Sequence, residues 1–192
     1  MMLGMSLATF TIVHVIISLV AIGAGLVVMF GMLGPKRMPN LTAVFLASTI
    51  LTSASGLLIP PLLIDKLLPS HMISILSLVL LGIACFGLYG RRLAGSWRWI
   101  YVLTALLSLY LNVFVLVIQS FLKVPALHAL APSVPPAEPP FAIVQGIVLV
   151  SFVVVIIGAI RRYRPASAAA DMRPQQDLNP AAWGTRSLST RK

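Results

Sequence analysis

The chain has 192 residues, 59% of them hydrophobic and 9% charged, with a formal net charge of +10 and a mean hydropathy of +1.01. Soluble domains are roughly 45–50% apolar and about 25% charged, so a soluble globular protein is excluded. One cysteine excludes an internal disulfide framework and a multi-cysteine metal cluster.

A membrane-spanning helix needs about 20 consecutive apolar residues. Five runs without Asp, Glu, Lys or Arg meet that need, at about 8–33, 41–59, 71–90, 99–122 and 141–160. Gly34-Pro35, Pro39-Asn40, Pro60-Pro61, Pro69 and the prolines from Pro125 to Pro140 punctuate the gaps, as residues that oppose helix continuation should. The predicted fold is an all-α integral membrane protein, with a bundle of five transmembrane helices over 1–164. Met1 to Leu7 carries no basic residue and the first apolar run continues past Gly25, so this run reads as a retained span rather than a signal peptide. No internal repeat is visible, which argues against an inverted-repeat transporter.

Loop charge tests the span count, because basic residues alternate between sides only when every span has been found. Lys36 and Arg37 fall in the first loop, Arg91, Arg92 and Arg98 in the third, and Arg161, Arg162 and Arg164 open the tail. Of the 14 basic residues only Lys66 and Lys123 fall on the other side. The N-terminus is therefore expected outside and the C-terminus in the cytoplasm of a bacterial inner membrane. This distribution makes the positive charge a topology signal, and no nucleic-acid partner is expected. Trp97, Trp99 and Tyr101, with Tyr89 nearby, are expected in the aromatic belt at the cytoplasmic start of the fourth span. Residues 165–192 are rich in Ala, Pro, Gln, Ser and Asn and read as a basic disordered tail, with anionic lipid expected at its root.

Polar side chains inside the spans carry the functional information. Thr11, His14, Ser18, Ala21 and Gly25 share one stripe of the first helix, and Thr104, Ser108 and Asn112 one of the fourth. The second helix concentrates Ser48, Thr49, Thr52, Ser53, Ser55 and Gly56, residues that let helices approach closely. His14, Gln145 and Gln119 lie about 9, 6 and 4.5 Å below the outer ends of their helices, and Asn112 about 15 Å. A polar cluster in the outer half, made of His14, Asn112, Gln119 and Gln145 with His71 above it, is expected, read first as a mutually satisfied structural network and second as a ligand-binding site. No catalytic constellation and no metal-ligand spacing appears around His14, His71 or His128. Cys85 is expected in the core. Lys123 to Pro140 holds six prolines in eighteen residues. Its restricted extended chain reads as a lid, a docking surface for a protein partner, or a plain connector.

The stretches His14 to Leu19, Asn112 to Val115, Gln119 to Leu127 and Glu138 to Phe141 resemble segments of small bacterial membrane proteins of unassigned function. The general build is similar to DoxX-like small membrane proteins. The resemblance covers the spans and the proline loop, not the tail, and implies no activity. Three readings follow from the residues. The leading one is a non-enzymatic structural or accessory membrane component. The second is a small-molecule or ion transporter using the outer polar cluster. The third is a redox protein that meets quinone through His14, Gln119 and Gln145, or haem b through His14 and His71.

Overall fold

The computed structural model describes residues 6–34, 37–58 and 69–163; the tail expectation for 165–192 lies outside them. Among the described residues every regular element is helical: α1 (Leu7–Met32), α2 (Pro39–Leu58), α3 (Pro69–Cys85) continuing into a π-helical turn (Phe86–Gly90), α4 (Trp97–Lys123), α5 (Pro125–His128) and α6 (Pro139–Arg162). Five of these helices are long and apolar enough to cross a membrane, α3 and the π-turn together forming one of them. By length and composition these helices are compatible with a multi-pass membrane protein.

Local chemistry sets the helix ends. Ser6 caps α1, its Oγ accepting from the Thr9 N–H at 3.1 Å. Val124, the C-cap of α4, is extended, as a residue before proline must be. Pro125 and Pro139 then open α5 and α6, where a missing N–H costs nothing. The short helix α5 departs from the extended chain expected over Lys123 to Pro140. The prolines cluster from Pro132 onward, so residues 125–128 are free to take one helical turn.

Packing follows the small residues. A Cβ built on Gly25 of α1 would lie 2.5 Å from Leu109 Cδ1 and 2.8 Å from the Phe45 ring, so α1, α2 and α4 meet at van der Waals distance there. Ala21, Phe45, Leu81, Ala105 and Leu109 are all fully buried, and α4 is the hub, touching α1, α2, α3 and α6. By contrast α6 packs on α4, with only a light contact to α1 near Gly158 and Leu33. Phe121 meets Phe141 edge to face at 5.5 Å and Tyr110 meets Phe152 at 5.6 Å, which fixes the antiparallel register of α4 and α6.

That register, with the helix contacts, gives the bundle two chemically distinct ends. Arg37, Arg91, Arg92, Arg98, Arg161 and Arg162 lie at one. Lys123, α5 and Glu138 lie at the other, and Glu138 is the sole carboxylate among the described residues.

Candidate functional site

Two polar regions stand out, one toward each end. Toward the proline-loop end, His14 Nδ1 and Ser55 Oγ share a hydrogen bond at 2.7 Å across the α1–α2 contact. One turn deeper, Ser18 Oγ reaches Thr52 Oγ1 at a long 3.5 Å, and Ser53 donates to Ser77 of α3 at 3.0 Å. A Cβ on Gly56 would lie 3.0 Å from Ser74 Oγ and 3.6 Å from His14 Cε1, so Gly56 is the gap through which three helices close. His71 sits on α3 one turn before Ser74 and is 1% exposed, with Nδ1 unpartnered among the described residues. The result is a seam of imidazole and hydroxyl groups along α1, α2 and α3.

The expected cluster is distributed differently. His14 bonds Ser55 rather than a glutamine. Gln119 is exposed on α4, and the amide of Gln145 is buried on α6 with neither atom partnered among the described residues. Asn112 is half-buried, its Nδ2 likewise unpartnered. The α4–α6 register sets Gln145 level with Val117, close to the depth of His14. Gln119 and Gln145 lie at similar depth, whereas Asn112 lies about 10 Å deeper than Gln119 on α4. The haem expectation needs an open slot between His14 and His71. Gly56, Ser74 and His14 come close together on the His14 side of that slot.

Most of the remaining hydroxyls are spent on their own helices. Thr11, Ser18, Ser48, Thr49, Thr104, Ser108, Ser120 and Ser151 each donate to the carbonyl four residues earlier. The Thr104–Ser108 stripe is therefore a packing surface.

The second region lies at the arginine end and was not anticipated. A cavity of about 330 Å³ opens among the start of α2, the π-turn, α4 and the end of α6, with Arg37, Thr42, Tyr89, Arg92, Tyr101 and Tyr163 on its wall. Tyr101 corrects the belt expectation: it is 1% exposed, whereas Trp99 and Tyr89 are 43% and 60% exposed. Positions 99 and 101 point to opposite sides of a helix, so only one of them can face lipid. Thr42 lines the same wall as the Tyr101 phenol, and the Tyr101 and Tyr163 rings stand 6.3 Å apart. Burial pushes the Tyr163 phenol up, partly offset by the Arg37 guanidinium. Arg98 Nη1 donates to the Tyr163 carbonyl at 2.6 Å, tying the end of α6 to α4.

The cavity wall includes an unusual turn. Arg92 and Leu93 have φ of 48° and 61°, a left-handed conformation costing roughly 1–2 kcal/mol per non-glycine residue. Two contacts hold it: the Leu93 N–H donates to Gly87 O at 3.0 Å, and the Leu93 side chain is 7% exposed in the core. Next to it the Trp97 ring meets Phe86 at 5.0 Å and carries the Arg91 guanidinium at 5.8 Å. No sequence signal marks the turn, because neither residue is Gly or Asn.

Glu138 organises the proline loop at the opposite end. Its carboxylate accepts from Ser133 N–H and Oγ, both at 2.9 Å, and from Ala137 N–H at 3.1 Å. Slight desolvation raises its pKa, but these hydrogen bonds outweigh that and hold the carboxyl below its ordinary range. A depressed folded pKa stabilises above the unfolded value, and the contribution is lost as pH falls through the folded value. We expect the loop to keep its protection against proteolysis at neutral pH and to lose it below about pH 4.3, the ordinary glutamate value. Glu138→Gln should give the unprotected loop at every pH; protection that ignores both changes would count against the carboxylate's role.

Comparison with protein-family models, with curated proteins and with solved structures finds no match.

Proposed function

We propose that the chain is a multi-pass protein of the bacterial cytoplasmic membrane, amino terminus outside and carboxyl terminus in the cytoplasm, serving as a non-enzymatic structural or accessory component. One observation carries this reading. Between the histidine seam and the arginine-lined cavity lie Ala21, Phe45, Leu81 and Leu109, each 0% exposed, with the buried hydroxyls of Thr49 and Ser108 turned onto carbonyls of their own helices. A layer packed to that density separates the two polar regions and favours a structural role over a through-path for solutes. The seam supports it further, since His14, Ser53, Ser55 and Ser77 are engaged with one another across helix contacts, the usual polar glue of membrane bundles. The orientation rests on the arginine-rich end and the positive-inside rule. In this reading the ordered proline loop is extracytoplasmic and offers its rigid surface to a protein partner.

A second reading, a transporter with an outer-half polar site, draws on the unpartnered Gln145 amide and His71 Nδ1. Two measurements decide. A cytoplasm-active reporter fused after Lys192 should fluoresce and a periplasm-active one should stay silent; the reverse would overturn the orientation. Proteoliposomes should leak protons and small ions no faster than protein-free vesicles, and a protein-dependent flux would favour the transporter.

A further inference from the structure

We infer that the outer half of the bundle holds a water-accessible crevice between α4 and the α1–α2 pair, and that His14 Nε2 is the hydrogen-bond acceptor on its wall for a small neutral solute bearing hydroxyl groups. The inference rests on the bilayer reading above for the contrast between lipid and water, not for the geometry.

Burial along α4 reveals the crevice. In its inner half Tyr101, Val102, Ala105, Ser108 and Leu109 are at most 1% exposed, and α1 and α2 close on that stripe where Gly25 and Phe45 gather at Leu109. Leu116 lies seven residues beyond Leu109 and Gln119 eighteen beyond Tyr101, about two and five turns that return to the same stripe. Both are nonetheless exposed, Leu116 by 36%. Over the same stretch no residue of α1 from Thr11 to Val20 is buried, although α1 keeps its hold on α2 through His14 and Ser55. The α1–α2 pair therefore parts from α4 toward the outer end, and Gly25, Phe45 and Leu109 close the foot of the gap. Counting outward equally from Gly25 and Leu109 sets Ser18 level with Leu116, and His14 level with Ser120, next to Gln119.

Chemistry selects water over lipid as the filling. Gln119 is exposed on its helix and makes no hydrogen bond among the described residues. Lipid offers an amide no partner, so polar groups of membrane helices face the bundle interior or a water-filled cavity.

The hydrogen bonds around Ser55 then fix the state of His14. Ser55 Oγ lies 3.1 Å from the Thr52 carbonyl oxygen and 2.7 Å from His14 Nδ1. A carbonyl only accepts, and a hydroxyl has one hydrogen to give. When Ser55 donates to Thr52 and His14 Nδ1–H donates to Ser55, both bonds are made; when Ser55 donates to Nδ1, one of them is lost. Two bonds outweigh one, so Nδ1 carries the proton and Nε2 keeps its lone pair. That nitrogen has no partner among the described residues and, unlike His71 Nδ1, it is not fully buried.

These groups define the solute. An acceptor at His14 Nε2 calls for a donor, and the Gln119 amide can give or take. No charged residue lies on α1, α2 or α3, and α4 bears none between Arg98 and Lys123, so an ion entering the crevice would meet no described counter-charge. A neutral hydroxyl compound meets both requirements.

The test places single cysteines in the full-length protein carrying Cys85→Ala and treats whole cells with a charged, membrane-impermeant thiol reagent. Leu116→Cys should react at least about tenfold faster than Ile147→Cys, since the reactive thiolate forms in water and not in lipid. Exposure alone would give the reverse order, because Ile147 is 64% exposed, and the α4–α6 register puts the two at the same depth. Leu109→Cys should stay silent. Equal rates at positions 116 and 147 would overturn the crevice; reaction at 116 in inverted vesicles alone would support it and overturn the orientation. Nitrogen NMR of protein labelled at histidine, with His14→Gln identifying the signals, should show Nδ1 protonated and Nε2 not. Glycerol should move that Nε2 signal, and should move it less in Gln119→Leu. A ring protonated at Nε2 instead, or a signal that glycerol leaves in place, would overturn the site.

Discussion

Replacing Gly25 by alanine should lower the unfolding midpoint of the detergent-solubilised protein by the equivalent of about 1–3 kcal/mol, the cost of overpacking a filled core. The new methyl would meet Leu109 Cδ1 at 2.5 Å and Phe45 ring carbons at 2.8 Å. Both partners are 0% exposed, so neither can swing aside. Leu109→Ala alone should cost about 2 kcal/mol, the low end of the range for core leucines. The low end applies because lipid solvates a leucine nearly as well as the bundle does, leaving lost packing as the main penalty. The double variant is the sharper measurement: the methyl at position 25 enters space vacated at 109, so its cost should fall at least about 0.5 kcal/mol short of the sum. Additive costs would mean that the three helices do not meet at Gly25 as described.

Phe152→Ala should loosen α6 more than it unfolds the bundle. Phe152 is 7% exposed and stands edge to face with Tyr110 at 5.6 Å, and α6 has little contact beyond α4. Losing the aromatic pair costs about 0.5–1.5 kcal/mol, and the cavity adds to it, bringing the total to about 3 kcal/mol. A cysteine pair placed across the lower α4–α6 contact should cross-link less efficiently in this variant, while one across α1–α2 should be unaffected. Equal loss at both contacts would show that α6 is integral to the core.

The sequence disclosed depth and concealed direction. Apolar run length and prolines announce five long helices, since a bilayer leaves helix length little freedom. The same arithmetic set His14, Gln119 and Gln145 at similar depths, and the α4–α6 register places the two glutamines within about one turn of each other. Which way each faces depends on how helices rotate against one another, and that is decided by small residues such as Gly25 and Gly56, whose role is visible only once their neighbours are known. Gln119 accordingly faces outward while His14 turns to Ser55. Tyr101 shows the same limit: read by depth it belongs to the aromatic belt, but its position two residues from Trp99 sends it inward. The arginine cavity was hidden for another reason. Arg37 and Arg92 are fully accounted for by the positive-inside rule, so their charge gave no cause to look further, and the left-handed turn that sets Arg92 carries no glycine or asparagine to advertise it.

Helix length has a further consequence. With 26, 27 and 24 residues, α1, α4 and α6 measure about 39, 40 and 36 Å, whereas the described part of α2, with 20 residues, measures about 30 Å. A hydrocarbon core is about 30 Å thick. In such a core the long helices would tilt or project beyond it. In a bilayer, helices of such unequal length would meet the lipid unevenly, the longer ones by tilting or by thickening it locally. The protein's stability in a bilayer would then depend on the thickness of that bilayer, which vesicles of graded acyl-chain length would read.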